Sequence, residues 1–203
     1  MTTSLPNLLT YGRIAAIPVL AVLMALPGFW TDWAALAVYA AAAITDYFDG
    51  RLARAWNQTS TIGRLLDPIA DKMLVTAALF MLGAMGRLSG WAIAPAIVIL
   101  LREVLISGLR EFLAEINARG VPVSALAKWK TTVQMIAIGI LIVGDTGTET
   151  FNGYFPTVGV GIAGIWLAAA LTLVTGWAYL REGLRQAVAE PEHPRGVGER
   201  PAR

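Results

Sequence analysis

The chain contains no cysteine and a single histidine, His193, and only 15% of its 203 residues are charged. Each scarcity excludes something. Without cysteine there is no disulfide framework, thiolate-bound zinc, iron–sulfur cluster or thiol nucleophile. With its one histidine close to the C-terminal end, the chain has none for a Ser-His-Asp triad or a histidine-rich metal site in its core. Soluble domains carry about 25% charged residues, so this chain lacks the polar cover for a water-facing surface. A net charge of +2 leaves no electrostatic footprint for nucleic acid, and no such partner is expected. What is abundant is apolar surface: 56% of residues are hydrophobic and the mean hydropathy is +0.60. That excludes intrinsic disorder and predicts an integral membrane protein folded as one bundle.

Charge-free runs locate the spans. Residues 14–31 and 150–180 are long enough alone, whereas 33–45, 73–86, 88–101 and 131–144 fall short of the ~20 residues needed to cross the hydrocarbon core. Each short run reaches that length only if charged residues at one end enter the helix. The reading is therefore all-α, with six transmembrane helices over 7–27, 33–54, 64–86, 90–116, 126–144 and 157–183. Gly-, Pro- and Asp-bearing stretches separate them, including 144–156 as a long loop. With both termini cytoplasmic, twelve of the 16 Lys and Arg residues flank the cytoplasmic side and only Arg87 lies on an outer loop. That asymmetry is the positive-inside pattern. Residues 1–185 are read as one helical transmembrane domain and 186–203, rich in Pro and Gly, as a disordered cytoplasmic tail. Gly159, Gly161 and Gly164 read as helix-packing positions.

The apolar runs stop short where carboxylates appear. Asp46, Asp49, Gly50 and Ala53 stand at i, i+3, i+4 and i+7, on one helix face; Asp67 and Asp71, at i and i+4, share a face of the next helix. A short loop brings the two faces together near the cytoplasmic boundary. Acids this close repel one another, and each is expensive near an apolar core. The cluster makes physical sense with positive charge between the carboxylates, and oxygen ligands suit hard divalent cations. Pairing with Arg51, Arg54, Arg64 and Lys72 is the blander reading; it leaves the matched faces and interleaved glycines unexplained. Gly50 would let a ligand lie against its helix, and Gly63 opens the following helix, where free N–H groups can face phosphate.

These residues resemble a known family. Asp46-x2-Asp49-Gly50-x2-Ala53-Arg54-x8-Gly63-x3-Asp67-x3-Asp71 matches every fixed position of the signature of the CDP-alcohol phosphotransferases. Downstream, Arg102-Glu103-x4-Gly108-Leu109-Arg110-Glu111 and Lys128-x-Lys130-Thr131-Thr132-x-Gln134 are similar to the branch that makes phosphatidylglycerophosphate, as is the start Leu5-Pro6-Asn7-Leu8-Leu9-Thr10-x2-Arg13. The resemblance covers most of residues 1–185. It implies a six-helix bundle in the bacterial cytoplasmic (inner) membrane, a homodimer, and a cytoplasm-facing site holding two divalent ions, Mg2+ or Mn2+.

By resemblance, Asp46, Asp49, Asp67 and Asp71 hold the metals and Asp71 is also the general base. The implied reaction moves the phosphatidyl group of CDP-diacylglycerol to sn-glycerol 3-phosphate, within membrane lipid, and releases CMP. Arg54 would reach a nucleotide phosphate with its planar fork. Gly50, Ser60 and Gly63, with Asn7, Thr10 and Arg13 from the first helix, would complete the CDP pocket. Arg110, Lys128 and Lys130 are expected on the acceptor phosphate, with Arg102 either joining them or bracing Glu103. Other acceptors in the same family (inositol phosphate, serine or phosphatidylglycerol) remain alternatives, and a cation-binding transporter is a rival from another class.

Overall fold

The computed structural model describes residues 5–56, 61–116 and 125–188; the side chains of 5–7, 46–56, 61–65, 67–68 and 125 fall outside the described residues. Among the described residues there are six long helices, one short helix and no strand. They are α1 (Leu5–Ala25), α2 (Phe29–Trp56), α3 (Thr61–Ala84), α4 (Ile93–Glu115), α5 (Ala125–Val143), α6 (Asp145–Thr150) and α7 (Thr157–Val188), with a single 3-10 turn at Gly90–Ala92 before α4. Four of them, α1, α4, α5 and α7, are long and apolar enough to cross a membrane. α2 and α3 are as long, at 28 and 24 residues, about 42 and 36 Å at 1.5 Å per residue, but charges interrupt their apolar runs.

Two features differ from the sequence reading. The stretch 144–156 is not all loop, because α6 forms one short helix inside it. Gly144 makes that possible: at φ 56° and ψ −133° it adopts a backbone that side-chain-bearing residues avoid, and it separates α5 from α6. In addition, α7 continues to Val188, three residues into the stretch read as tail. Local chemistry sets other boundaries. Pro6 occupies the first turn of α1, where a missing N–H leaves no helical bond unmade. The α1–α2 turn is closed by Thr31, whose hydroxyl donates to the carbonyls of Leu26 at 2.8 Å and Gly28 at 2.7 Å.

The core is a column of Leu20, Met24, Leu74, Leu82, Ile99, Ile138 and Leu141, all essentially inaccessible. Between α5 and α7 the backbones come close. A Cβ added at Gly161 would stand 2.6 Å from Leu141 Cγ, and one at Gly164 would stand 2.7 Å from Ala137 Cβ. Lipid tails are as apolar as leucine, so helices in a membrane hold together through such contact rather than through burial from water. Gly159 has no such neighbour, with only Pro156 Cβ at 4.0 Å, so it is not a close-packing position within the chain.

One polar clamp closes the end of the bundle away from the acid motif. Asp32 in the first turn of α2 is buried, and its Oδ1 pairs with Arg87 Nη2 at 2.6 Å. Its Oδ2 accepts from the Thr146 hydroxyl at 2.6 Å. Arg87 also donates to the Ile142 carbonyl, and its guanidinium fills the space beside Gly144 that a Cβ would occupy. The lone arginine of that end is therefore a tie between α2, the α3–α4 turn and the α5–α6 corner.

Three stability outcomes follow from this packing. Gly164→Ala should lower the melting temperature in detergent, since overpacking costs about 1–3 kcal/mol against a helix-propensity gain of about 1 kcal/mol. Gly83→Ala, where nothing lies within 4 Å, should be neutral or stabilising in the same measurement. Arg87→Met should destabilise by about 3–5 kcal/mol, because it strands a buried carboxylate; an unchanged unfolding midpoint would rule out the clamp.

Candidate active site

The acid motif lies on continuous helix in both segments. Asp46, Asp49, Gly50, Ala53 and Arg54 occupy the last three turns of α2, and Gly63, Asp67 and Asp71 the first three of α3. The i, i+3, i+4 and i+7 spacing is thus realised as one face of α2, and the i, i+4 pair as one face of α3. Residues 57–60 between them, with the Ser60 assignment, lie outside the described residues, as do the side chains of Asn7, Asp46, Asp49, Arg54 and Asp67. Among the described residues no three acids or histidines gather. The chemistry of the motif's donors nevertheless fits hard divalent cations, being carboxylate oxygen throughout, with no nitrogen or sulfur.

Asp71, the last acid of the motif, lines a cavity of about 80 Å3 between α3, α4 and α5. Lys72 lies beside it, Glu103 faces it from α4, and Lys130, Thr131 and Gln134 form the α5 wall. Lys130 is buried, at 4% exposure. A buried ammonium needs a counter-charge, and Glu103 supplies it: Lys130 Nζ donates to Glu103 Oε1. Arg102 Nη1 reaches the same oxygen at 3.3 Å. One carboxylate therefore serves two cations.

Helical geometry explains how neighbouring residues divide these tasks. Successive positions on α4 are turned by about 100°, so Glu103 faces the cavity while Arg102 lies against α7. Gly176 makes the space, since a Cβ there would meet Arg102 Cγ at 3.0 Å and Nε at 3.2 Å. Two turns further on, Arg110 stands over the ring of Tyr179 on α7, 5.8 Å from its centroid, within cation–π range. Lys128 is exposed. Of the four cations expected on the acceptor phosphate, the cavity wall contains Lys130; Arg102 braces Glu103, and Arg110 and Lys128 stand elsewhere.

On α1, Thr10 and Arg13 are buried at 1% and 2% exposure. Such burial of a guanidinium calls for anionic neighbours, and α1 packs against α2 and α3, the two helices that carry the acids. The sequence reading gave Gln134 no role of its own, Lys72 only that of an ion-pair partner for the acids in the blander reading, and Glu103 only that of a group for Arg102 to brace. The available signal was the spacing of Lys130 and Gln134, one helical turn apart, which puts both on the α5 face that meets the cavity.

The chain is similar to known proteins over most of its length. The family model described as CDP-alcohol phosphatidyltransferase matches residues 3–175. A protein of Cereibacter sphaeroides named CDP-diacylglycerol–glycerol-3-phosphate 3-phosphatidyltransferase is 43% identical over 216 residues, covering 91% of this chain and 97% of its own. Proteins of the same name from Rickettsia bellii and Escherichia coli are 43% and 38% identical, covering 88% and 89% of this chain and 94% and 93% of theirs. Among solved structures, a Mycobacterium tuberculosis phosphatidylinositol phosphate synthase with CDP-DAG bound superposes with a TM-score of 0.63 over 93% of this chain and 88% of that one. At 16% identity that likeness speaks for the fold alone.

Proposed function

The chain belongs to the CDP-alcohol phosphatidyltransferase family, and we propose that it works as the relatives' shared name describes. It is a phosphotransferase of phospholipid biosynthesis: it transfers the phosphatidyl group of CDP-diacylglycerol to sn-glycerol 3-phosphate, giving phosphatidylglycerophosphate and CMP. The observation that carries the residue-level reading is the cavity in which Asp71, the last acid of the motif, meets the buried cation Lys130. A base and a cation for an anionic acceptor are what this reaction asks of its acceptor side.

In this reading Asp46, Asp49, Asp67 and Asp71 hold two divalent ions, Mg2+ or Mn2+, which when bound offset negative charge on the reacting phosphates. Asp71 takes the proton from the sn-1 hydroxyl of the acceptor as that oxygen bonds to the β-phosphorus, and CMP departs in line. Such chemistry asks the protein mainly for positioning and charge neutralisation, consistent with a site built without cysteine or histidine. Asn7, Thr10, Arg13, Gly50, Arg54, Ser60 and Gly63 bind the CDP portion. Lys130 takes the acceptor phosphate, Arg102 steadies Glu103, and Arg110 and Lys128 add positive charge at the same end of the bundle. Six spans, cytoplasmic termini and a site facing the cytoplasm of a bacterial inner membrane accord with the basic residues gathered at that end. Residues 1–185 form the catalytic domain, and the protein works as a homodimer.

An acceptor panel tests the proposal. Purified protein with CDP-diacylglycerol and Mg2+ should release CMP with glycerol 3-phosphate and yield phosphatidylglycerophosphate; product from inositol phosphate or serine instead would overturn the acceptor assignment. Asp71→Asn should lower kcat by roughly 10²–10⁴-fold, the usual contribution of a positioned base, with the melting temperature retained. EDTA should abolish turnover and added Mg2+ or Mn2+ should restore it; activity that survives chelation would rule out the metal site.

A further inference from the structure

We propose that Gln134 is a specificity-determining contact of the acceptor site, its carboxamide binding the acceptor hydroxyl that does not react. The inference rests on the assignment of glycerol 3-phosphate as acceptor and adds a residue to that site. Gln134 is 3% exposed, and its Oε1 is buried with no hydrogen-bond partner among the described residues. Buried side-chain amides are ordinarily satisfied, because an unmade bond leaves the full desolvation penalty of the group in place. Gln134 lines the cavity, and rotation about the terminal torsion of its amide exchanges the oxygen and nitrogen ends, so the side chain can turn its unpaired oxygen to a ligand there as an acceptor.

Its neighbours indicate what it waits for. Gln134 stands one turn from Lys130 on α5 and shares the cavity with Asp71 and Glu103. Asp71 is assigned the reacting hydroxyl and Lys130 the phosphate, so the wall that includes Gln134 is left for the middle of the molecule. In sn-glycerol 3-phosphate that middle carries the sn-2 hydroxyl, whose O–H can donate to Oε1. The cavity, about 80 Å3, exceeds several-fold the roughly 10–15 Å3 that one water requires. It therefore has room for a short polyol. A glutamine can read a hydroxyl without adding charge to a site already crowded with carboxylates, and such sites discriminate strongly against analogues that lack the hydroxyl.

The test compares two acceptors on the same enzyme preparation: sn-glycerol 3-phosphate and 3-hydroxypropyl phosphate, which lacks only the sn-2 hydroxyl. Wild-type protein should prefer the former by roughly tenfold or more in kcat/KM, as expected for one buried hydrogen bond. Gln134→Met, near-isosteric and apolar, should bring that ratio close to one, mainly by raising KM for glycerol 3-phosphate. KM for CDP-diacylglycerol should stay unchanged. Gln134→Asn, which keeps the amide but shortens its reach, should fall between. The ratio does not depend on the fraction of folded enzyme, so a merely structural role would depress both acceptors alike. Equal loss on both acceptors, partial or complete, overturns the proposal, as does a wild-type enzyme indifferent to the missing hydroxyl. Wild-type protein inactive with glycerol 3-phosphate would instead overturn the acceptor assignment on which the inference rests.

Discussion

An ionised group inside an apolar helical bundle is stable only beside an opposite charge or a full set of hydrogen bonds, and this protein is organised around that constraint. Its buried charges, Arg13, Asp32 and Lys130, lie toward the two ends of the bundle. At one end, Asp32 and Arg87 satisfy each other, with Thr146 and the Ile142 carbonyl completing the set. At the other end, Glu103 holds both Lys130 and Arg102. The difference between the ends is what remains. The first network borders a cavity of about 460 Å3, but its charged groups are paired with one another and it acts as a clamp. The second lines a cavity together with Asp71 and Gln134, a glutamine whose oxygen has no partner, so it retains capacity for a ligand.

This division separates stability from chemistry along the bundle axis. The α5–α7 contact, tightened by Gly161 and Gly164, and the Asp32–Arg87 clamp lie toward the end without the acid motif. The opposite ends of α2 and α3 carry the four acids of the motif. Arg102 connects the two regimes. Its stem lies against Gly176 of α7 while its guanidinium meets Glu103, so the helix contact that stabilises α4 also fixes the counter-ion of Lys130.

The long helices were legible because their apolar runs and Gly/Pro interruptions are local properties. The reading placed helices at 7–27, 64–86 and 126–144, and they occur as Leu5–Ala25, Thr61–Ala84 and Ala125–Val143. α6 was not legible: DTGTET has weak helix formers, and its helix depends on the Gly144 corner and on Thr157, which donates to the Gly144 carbonyl from the next helix. The acid motif could be placed on faces because helical periodicity alone fixes them. The roles of Arg102 and Lys130 could not, because both are basic residues near one end of the bundle and only their neighbours differ.

By itself, then, the sequence determined the membrane class, the long helices, the family and the faces on which Asp46, Asp49, Asp67 and Asp71 stand, since each follows from composition or from spacing along one helix. The tertiary structure decided which distant residues share a volume. Asp71, Glu103, Lys130 and Gln134 come from three helices and meet in one cavity. No periodicity within a helix specifies how three helices are rotated against one another; the packing of Gly176 on Arg102 and of Gly164 on Ala137 sets α4 and α5 against α7, and α3 packs on both. That rotation makes Glu103 a shared counter-ion and leaves Gln134 an open acceptor.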